Sequence, residues 1–305
     1  MSRFPLIKMC NIIQTMFTGF TTTYLRRQVA LPTEHGAWVF MLSPLLIGLF
    51  AGGSFSLASV YLIIAAIAAF LIRQPITTAI KVYSGRRSRR DLPAARFWII
   101  LYGMVGLLSL VGLIRQGFAY LLWLALPGIP VFVWHLALVS RRQERRQAGV
   151  EVVGSGVLAL AAPAAYWVGV GASGLSSPDP ILHNLTIPGW WLFLLTWLQS
   201  AASIVYAYLR LEQRELASTP TLSVRLRMAR RALLYTSFNL ALVLAYSLAD
   251  LLPAWLPLPY ALQWAESIYG SLKPAVGYKP TRIGVRQLII SSLFTVLFIL
   301  AWNFS

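Results

Sequence analysis

Leu57-Ala-Ser-Val-Tyr-Leu-Ile-Ile-Ala-Ala-Ile-Ala-Ala-Phe-Leu-Ile72, followed at once by Arg73-Gln74-Pro75, is the stretch that decides the class of fold. It runs uncharged to its end and then meets a cation. A bilayer core of about 30 Å takes roughly 20 mostly apolar residues as a helix. A backbone in lipid must satisfy its own hydrogen bonds, so such a run is helical. Working outward, eight more stretches have the same character: 37–52, 97–114, 118–139, 150–172, 187–209, 232–249, 251–269 and 287–303. Only 53–56 separates the first two, which therefore read as a hairpin. The sequence thus predicts an all-α, polytopic transmembrane helical bundle of about nine spans.

Composition agrees. The 305 residues are 58% hydrophobic and 11% charged, where a soluble domain carries about 25% charge; a single water-soluble globule is excluded. The one cysteine, Cys10, excludes a disulfide framework and any multi-cysteine metal site. Lys and Arg total 26 against nine Asp and Glu, a net charge of +17, which on a soluble chain would point first to nucleic acid.

The span map accounts for that charge in another way. Assigned to alternate faces, one side receives Arg3, Lys8, Arg26 and Arg27, then seven cations from Arg73 to Arg96. The same side receives Arg141, Arg142, Arg145 and Arg146, six cations from Arg210 to Arg231, and Lys273, Lys279, Arg282 and Arg286. Arg115 alone falls on the other, so 25 of 26 lie on one face. Positive charge is retained on the cytoplasmic side. The expectation is a bacterial cytoplasmic (inner) membrane protein with its N-terminus inside and its C-terminus outside, in contact with membrane lipids and not with nucleic acid.

Ahead of the spans, 1–30 reads as a separate arm and 31–305 as the transmembrane domain. Lys8, Asn11 and Gln14 interrupt the apolar part of the arm, unlike a cleavable signal. Ile13, Met16, Phe17, Phe20 and Tyr24 share one helical face, which suits a helix lying on the inner membrane surface; a disordered extension is the other reading.

Three polar segments stand at the inner ends of spans. In Leu31-Pro-Thr-Glu-His-Gly-Ala-Trp38, Pro32, Thr33 and Glu34 suit a helix start and Trp38 an interfacial belt. The functional alternative places Glu34 and His35 at the mouth of a cytoplasmic cavity. In the segment that follows the second span, Pro75 should kink the helix or free its end, Arg73 either snorkels or faces a polar cavity, and Arg86–Arg90 attracts anions or anionic lipid. In the third, Ser203, Tyr206 and Arg210 share a helical face, so Tyr206 and Arg210 could hold a phosphate or carboxylate, or be an interfacial tyrosine and its flanking arginine. Glu266, inside the eighth span, is expected to pair with Lys273 or a neighbouring arginine, because an intramembrane carboxylate is costly alone. Gly103, Gly106, Gly154, Gly156, Gly169 and Gly171 read as close helix packing. His35, His135 and His183 lack ligand spacing, and there is neither a Gly-rich nucleotide loop nor a Ser–His–Asp set.

Pro32, His35-Gly36-Ala37-Trp38, Pro44, Gly48, Arg73-Gln74-Pro75, Val205-Tyr206 and Arg210 together resemble the bacterial YwiC-like membrane proteins, from about Leu31 onward. The His-Gly-Ala-Trp element is the most specific part. More distantly the layout is similar to UbiA-type intramembrane prenyltransferases. These have nine helices, a cytoplasm-facing cavity, and aspartate-rich motifs after helices two and six that hold Mg²⁺ against an isoprenoid diphosphate. Carried over by position, the first motif becomes Arg73, Gln74, Thr77 and Lys81, and the second Ser203 and Arg210 with Glu212 and Gln213 beyond. Nearly every metal-binding carboxylate is missing, so no metal and no cofactor is expected.

The resemblance implies a UbiA-like arrangement and an isoprenoid or lipid-phosphate ligand. That ligand would be held without Mg²⁺ at an inward-facing cationic site of Arg73, Gln74, Lys81, Tyr206 and Arg210, with Glu34 and His35 next. Such a protein is a divergent metal-independent prenyltransferase-like transferase or a non-catalytic relative of one. Two rival readings stay open: a transporter or exporter of a small anionic solute, with helix breaks at Pro163, Pro253, Pro257 and Pro259, and an accessory protein docking a partner through its basic loops.

Overall fold

The computed structural model describes residues 23–32, 35–143, 147–172 and 187–304, and regular structure among them is helical throughout. The elements are α1 (His35–Ala51), α2 (Leu57–Tyr83), α3 (Leu92–Arg115), α4 (an interrupted run over Ala119–Ser140), α5 (Ala148–Ala159), α6 (Ala161–Ala172), α7 (Ile187–Arg214), α8 (Leu222–Leu248), α9 (Pro257–Leu272) and α10 (Pro280–Asn303). Seven spans among the described residues are long and apolar enough to cross a membrane, α5 and α6 together making one of them. The 17-residue α1 and 16-residue α9 take up the two remaining stretches. The chain is an all-helical integral membrane protein of about nine spans.

The helices exceed the apolar runs on one side only. On the side rich in cations, α2 continues through Pro75 to Tyr83, α7 reaches Arg214, α8 begins at Leu222 and α10 at Pro280. At their other ends α2, α3, α8 and α10 stop within a residue or so of the apolar limit. An arginine ends an apolar window without ending a helix, because Arg and Lys are good helix formers. Pro75 does not free the inner end of this helix: it sits inside α2, which continues to Tyr83.

Prolines decide the two other departures. Pro163 cannot donate to the Ala159 carbonyl, and the span divides into α5 and α6 at Leu160. The eighth stretch does not begin at Leu251. Asp250 takes a positive φ of 54°, and α9 starts only at Pro257, a residue whose missing N–H costs nothing in a first turn.

Two compact units divide the chain. The first contains 23–32, Ile64–Val111 and 134–143. Within it Val29, Ala94 and Ala95 form a small core against Ala79 and Trp98. Polar contacts fix the segment before α1: Trp98 Nε1 donates to the Tyr24 carbonyl, Tyr102 Oη to Ala30, and Asp91 accepts from both Arg26 and Arg87. Of the predicted amphipathic face in the arm, only Tyr24 lies within the described residues.

The second unit contains 35–63, Gly112–Val133, 147–172 and 187–304. Here α7 packs against α1, α5, α6, α8, α9 and α10 and is the central helix. Ile47, Leu192, Leu195, Val243, Leu256, Tyr260, Phe294 and Phe298 form the apolar core around it. Tyr260 Oη donates to the Leu195 carbonyl at 2.9 Å, and its ring meets Phe294 edge-on.

The approach of α1 to α6 is set by glycine. A Cβ on Gly48 would lie 2.1 Å from the Ala162 carbonyl oxygen, and one on Gly169 would lie 2.8 Å from the Cα of Gly52. Gly48 and Gly52 form the small-xxx-small spacing that lets membrane helices touch backbone to backbone. Of the glycines expected to pack, Gly156 faces Trp197, Gly171 faces Phe118 and Gly106 meets Ala68, whereas Gly154 has open space beside it.

Candidate functional site

Along α7, Gln199, Ser203, Tyr206, Arg210 and Gln213 recur at alternating four- and three-residue intervals and form one stripe. All five are buried. Polar side chains inside a membrane bundle need partners, and α9 supplies them. Gln263 Nε2 donates to the Gln199 carbonyl and to Ser203 Oγ, both at 3.0 Å. Tyr206 Oη donates to Glu266 Oε1 at 2.8 Å. Gly270 leaves room for the tyrosine: a Cβ there would stand 2.2 Å from Tyr206 Oη.

Arg210 is 3% exposed and meets carbonyls. Its Nη1 lies 2.8 Å from Gly270 O, 2.7 Å from Lys273 O and 2.9 Å from Gln213 Oε1. Gln213 also donates to Gly270 O and accepts from Ala275 N, while Arg225 Nη1 donates to Leu272 O at 2.6 Å. These carbonyls belong to the C-terminal end of α9 and the turn beyond it, which lack intrahelical donors and carry the negative end of the helix dipole. Arg210 and Arg225 are thus the C-terminal caps of α9.

Glu266 pairs with an arginine, as expected of a carboxylate at this depth, and the partner is Arg286 on α10. Arg286 Nε donates to Oε1 at 2.6 Å and Nη2 to Oε2 at 2.7 Å. This is the two-pronged form of the pair. The two ends differ in accessibility: the Glu266 side chain is 6% exposed and that of Arg286 43%.

Beside this pair is a cavity of about 850 Å³. Tyr206, Arg210, Tyr269, Tyr278, Lys279, Arg282 and Arg286 line its polar wall, and Ile283, Val285, Ile289 and Ile290 its apolar one. Val285 and Ile289 are each more than half exposed, so the apolar wall continues onto the outer surface of α10. Ring faces hold the cations: Arg282 lies 4.3 Å from the Tyr278 centroid and Arg286 4.3 Å from that of Tyr269. Such cation–π contacts orient a guanidinium and leave its edge for a further acceptor.

Of the residues singled out from sequence, Tyr206 and Arg210 line this cavity. The carboxylate that Tyr206 holds is the protein's own, and Arg210 has carbonyl partners. Arg73, Gln74 and Lys81 lie on α2 in the first unit, where Arg73 sits over the Phe70 ring and Gln74 Nε2 donates to the Gln28 carbonyl. Glu34 lies outside the described residues; His35 opens α1. Sequence reasoning missed Lys279, Arg282 and Arg286 as site residues and used them only as topology markers. Their three- and four-residue spacing after Tyr278 is the signal that could have found them.

Among the described residues no group of three or more His, Cys, Asp or Glu could hold a metal ion. Against α5, Trp197 Nε1 of α7 donates to Val152 O at 2.9 Å and its ring covers Gly156. Comparison with known proteins gives one family: residues 31–166 match the model described as YwiC-like protein. No curated protein and no solved structure matches.

Proposed function

Starting from a chain whose residues 31–166 are YwiC-like, we propose that this integral membrane protein binds an amphiphile with an anionic head, an isoprenoid or lipid phosphate, in the cavity beside α10. One observation carries the reading. Lys279, Arg282 and Arg286 stand at one wall, two of them steadied on tyrosine rings, and an apolar wall of Ile283, Val285, Ile289 and Ile290 adjoins them. A phosphate head needs the first and its chain the second. Arg offers a planar fork matched to phosphate oxygens. The concentration of cations at this end of the helices supports an inward-facing mouth in the cytoplasmic membrane, with the N-terminus inside. The distant similarity to UbiA-type enzymes supports an isoprenoid as the chain.

Arg210 lines the cavity and enters this reading as the residue that keeps α9 in place. Arg73, Gln74 and Lys81 on α2 are proposed to meet lipid head groups of the inner leaflet.

The test is mass spectrometry of lipids retained by the gently purified protein, paired with dodecyl phosphate binding followed by phosphorus NMR in a non-ionic detergent. Retention of a single-chain or isoprenoid phosphate supports the reading. Arg282→Ala and Lys279→Ala together should weaken dodecyl phosphate binding by about tenfold or more, the effect of losing roughly 1.4 kcal/mol. Binding that ignores both substitutions would remove the cavity from consideration.

A further inference from the structure

Arg282 and Arg286 are one helical turn apart on α10, line the same cavity, and rest on tyrosine rings at the same 4.3 Å. They differ in one respect. Arg286 is engaged through two nitrogens by Glu266, and among the described residues no carboxylate pairs with Arg282. A bidentate carboxylate on a guanidinium has the geometry that a ligand's phosphate or carboxylate would itself adopt.

We infer that Glu266 is a resident competitor for the ligand head group, occupying the fork of Arg286 until an entering phosphate displaces it. The inference rests on the reading of the cavity as an anionic-amphiphile site. Three observations support the exchange. Arg286 is the accessible member of the pair and already lines the cavity, so its fork can turn toward a ligand without unpacking α10. The Tyr269 face beneath it provides a contact that does not depend on Glu266. Glu266 keeps one hydrogen-bond partner when Arg286 leaves, because the Tyr206 hydroxyl still donates to it at 2.8 Å.

The consequence is a two-level site. Arg282 and Lys279 meet any head group that arrives, and Arg286 joins only for one able to outcompete an internal carboxylate. Apparent affinity is then lowered by the fraction of molecules in which Arg286 is withheld. Release is assisted by the same step in reverse, since Glu266 recaptures the arginine.

The test is dodecyl phosphate affinity, measured by phosphorus NMR on the full chain in a non-ionic detergent, for wild type, Glu266→Gln, Arg286→Gln and the double variant. Glutamine keeps an acceptor for Tyr206 and removes the charge. Glu266→Gln should bind about tenfold tighter, or more, than wild type, and the double variant should lose that gain, since an interaction through Arg286 appears as non-additivity in the cycle. A folded Glu266→Gln chain that binds no tighter overturns the inference. So does a gain that survives in the double variant, because it would come from removing negative charge alone. If Glu266→Gln does not give a monodisperse protein, Glu266→Asp, one methylene shorter, replaces it with a smaller gain and the same order. Absence of binding in both wild type and the Glu266 variants would instead remove the cavity reading itself.

Discussion

α3 and α7 are both long membrane helices, and they are used in opposite ways. The span ending at Arg115 is the more apolar of the two, and 11% of an 18-residue apolar stretch within it is buried in the protein; the span ending at Arg214 is less apolar, and 61% of the corresponding stretch is buried. In water the more apolar helix would be the inner one. In a bilayer the lipid is as apolar as any core, so hydrophobicity gives no reason to go inside. What must go inside is the helix with polar groups to satisfy. Gln199, Ser203, Tyr206, Arg210 and Gln213 are the reason α7 is central, and Ile100, Met104, Leu107 and Leu108 on α3 remain exposed to the surroundings.

The comparison breaks most directly at Arg210. Arg210→Ala leaves the Gly270 and Lys273 carbonyls without their charged donor, and hydrogen bonds to charged groups contribute about 1.5–3 kcal/mol each. A loss of about 3–5 kcal/mol is expected, measured as unfolding in mixed detergent and read from near-UV circular dichroism. A loss under about 1 kcal/mol would mean that α9 does not depend on this cap. Leu195→Ala should come next. Leu195 is fully buried on α7. A lipid-facing unfolded reference cancels much of the transfer term, so the cost is the cavity left behind, toward the lower end of the range, about 2–3 kcal/mol. Gly48→Ala follows, at about 1–3 kcal/mol, because the new methyl meets the Ala162 carbonyl and α1 and α6 must separate. Thermal inactivation of the detergent-solubilised variant checks it, and an unchanged midpoint would mean that the two helices are not in backbone contact.

How much of this was legible beforehand follows from the same physics. Each apolar stretch became a helix or a broken helix because a run of uncharged residues in lipid has few other forms. Helix ends on the cationic side were misplaced by up to eleven residues, at the end of α2, and by ten at α8, where Arg225 to Arg231 carry the helix outward from Ala232. A charge marks the membrane boundary and says nothing of the hydrogen-bond ladder. The stripe on α7 was visible in Ser203, Tyr206 and Arg210, since helical spacing is local. Its meaning was not visible, because Glu266 is 60 residues from Tyr206 in sequence and Arg286 a further 20 from Glu266. No periodicity reports which arginine a lone carboxylate will select. Lys279, Arg282 and Arg286 were hidden by a sufficient explanation: they already accounted for topology.

The smallest expected effect sharpens the comparison most. Leu107→Ala makes on α3 the same chemical change as Leu195→Ala on α7, at a residue 63% exposed rather than fully buried. No cavity is created, since lipid or detergent fills the space, and few packing contacts within the protein are lost. Alanine and leucine are both strong helix formers, so the backbone is indifferent. The change in stability should stay within about 0.5 kcal/mol, measured by the same detergent unfolding as Leu195→Ala. If Leu107→Ala were as costly as Leu195→Ala, the exposed face of α3 would be a packed surface in the membrane, covered by protein rather than lipid. Equal and small costs at both sites would instead deny α7 its central place. Only the inequality, a large loss on the less apolar helix and almost none on the more apolar one, is consistent with a protein whose inside is chosen by polar need.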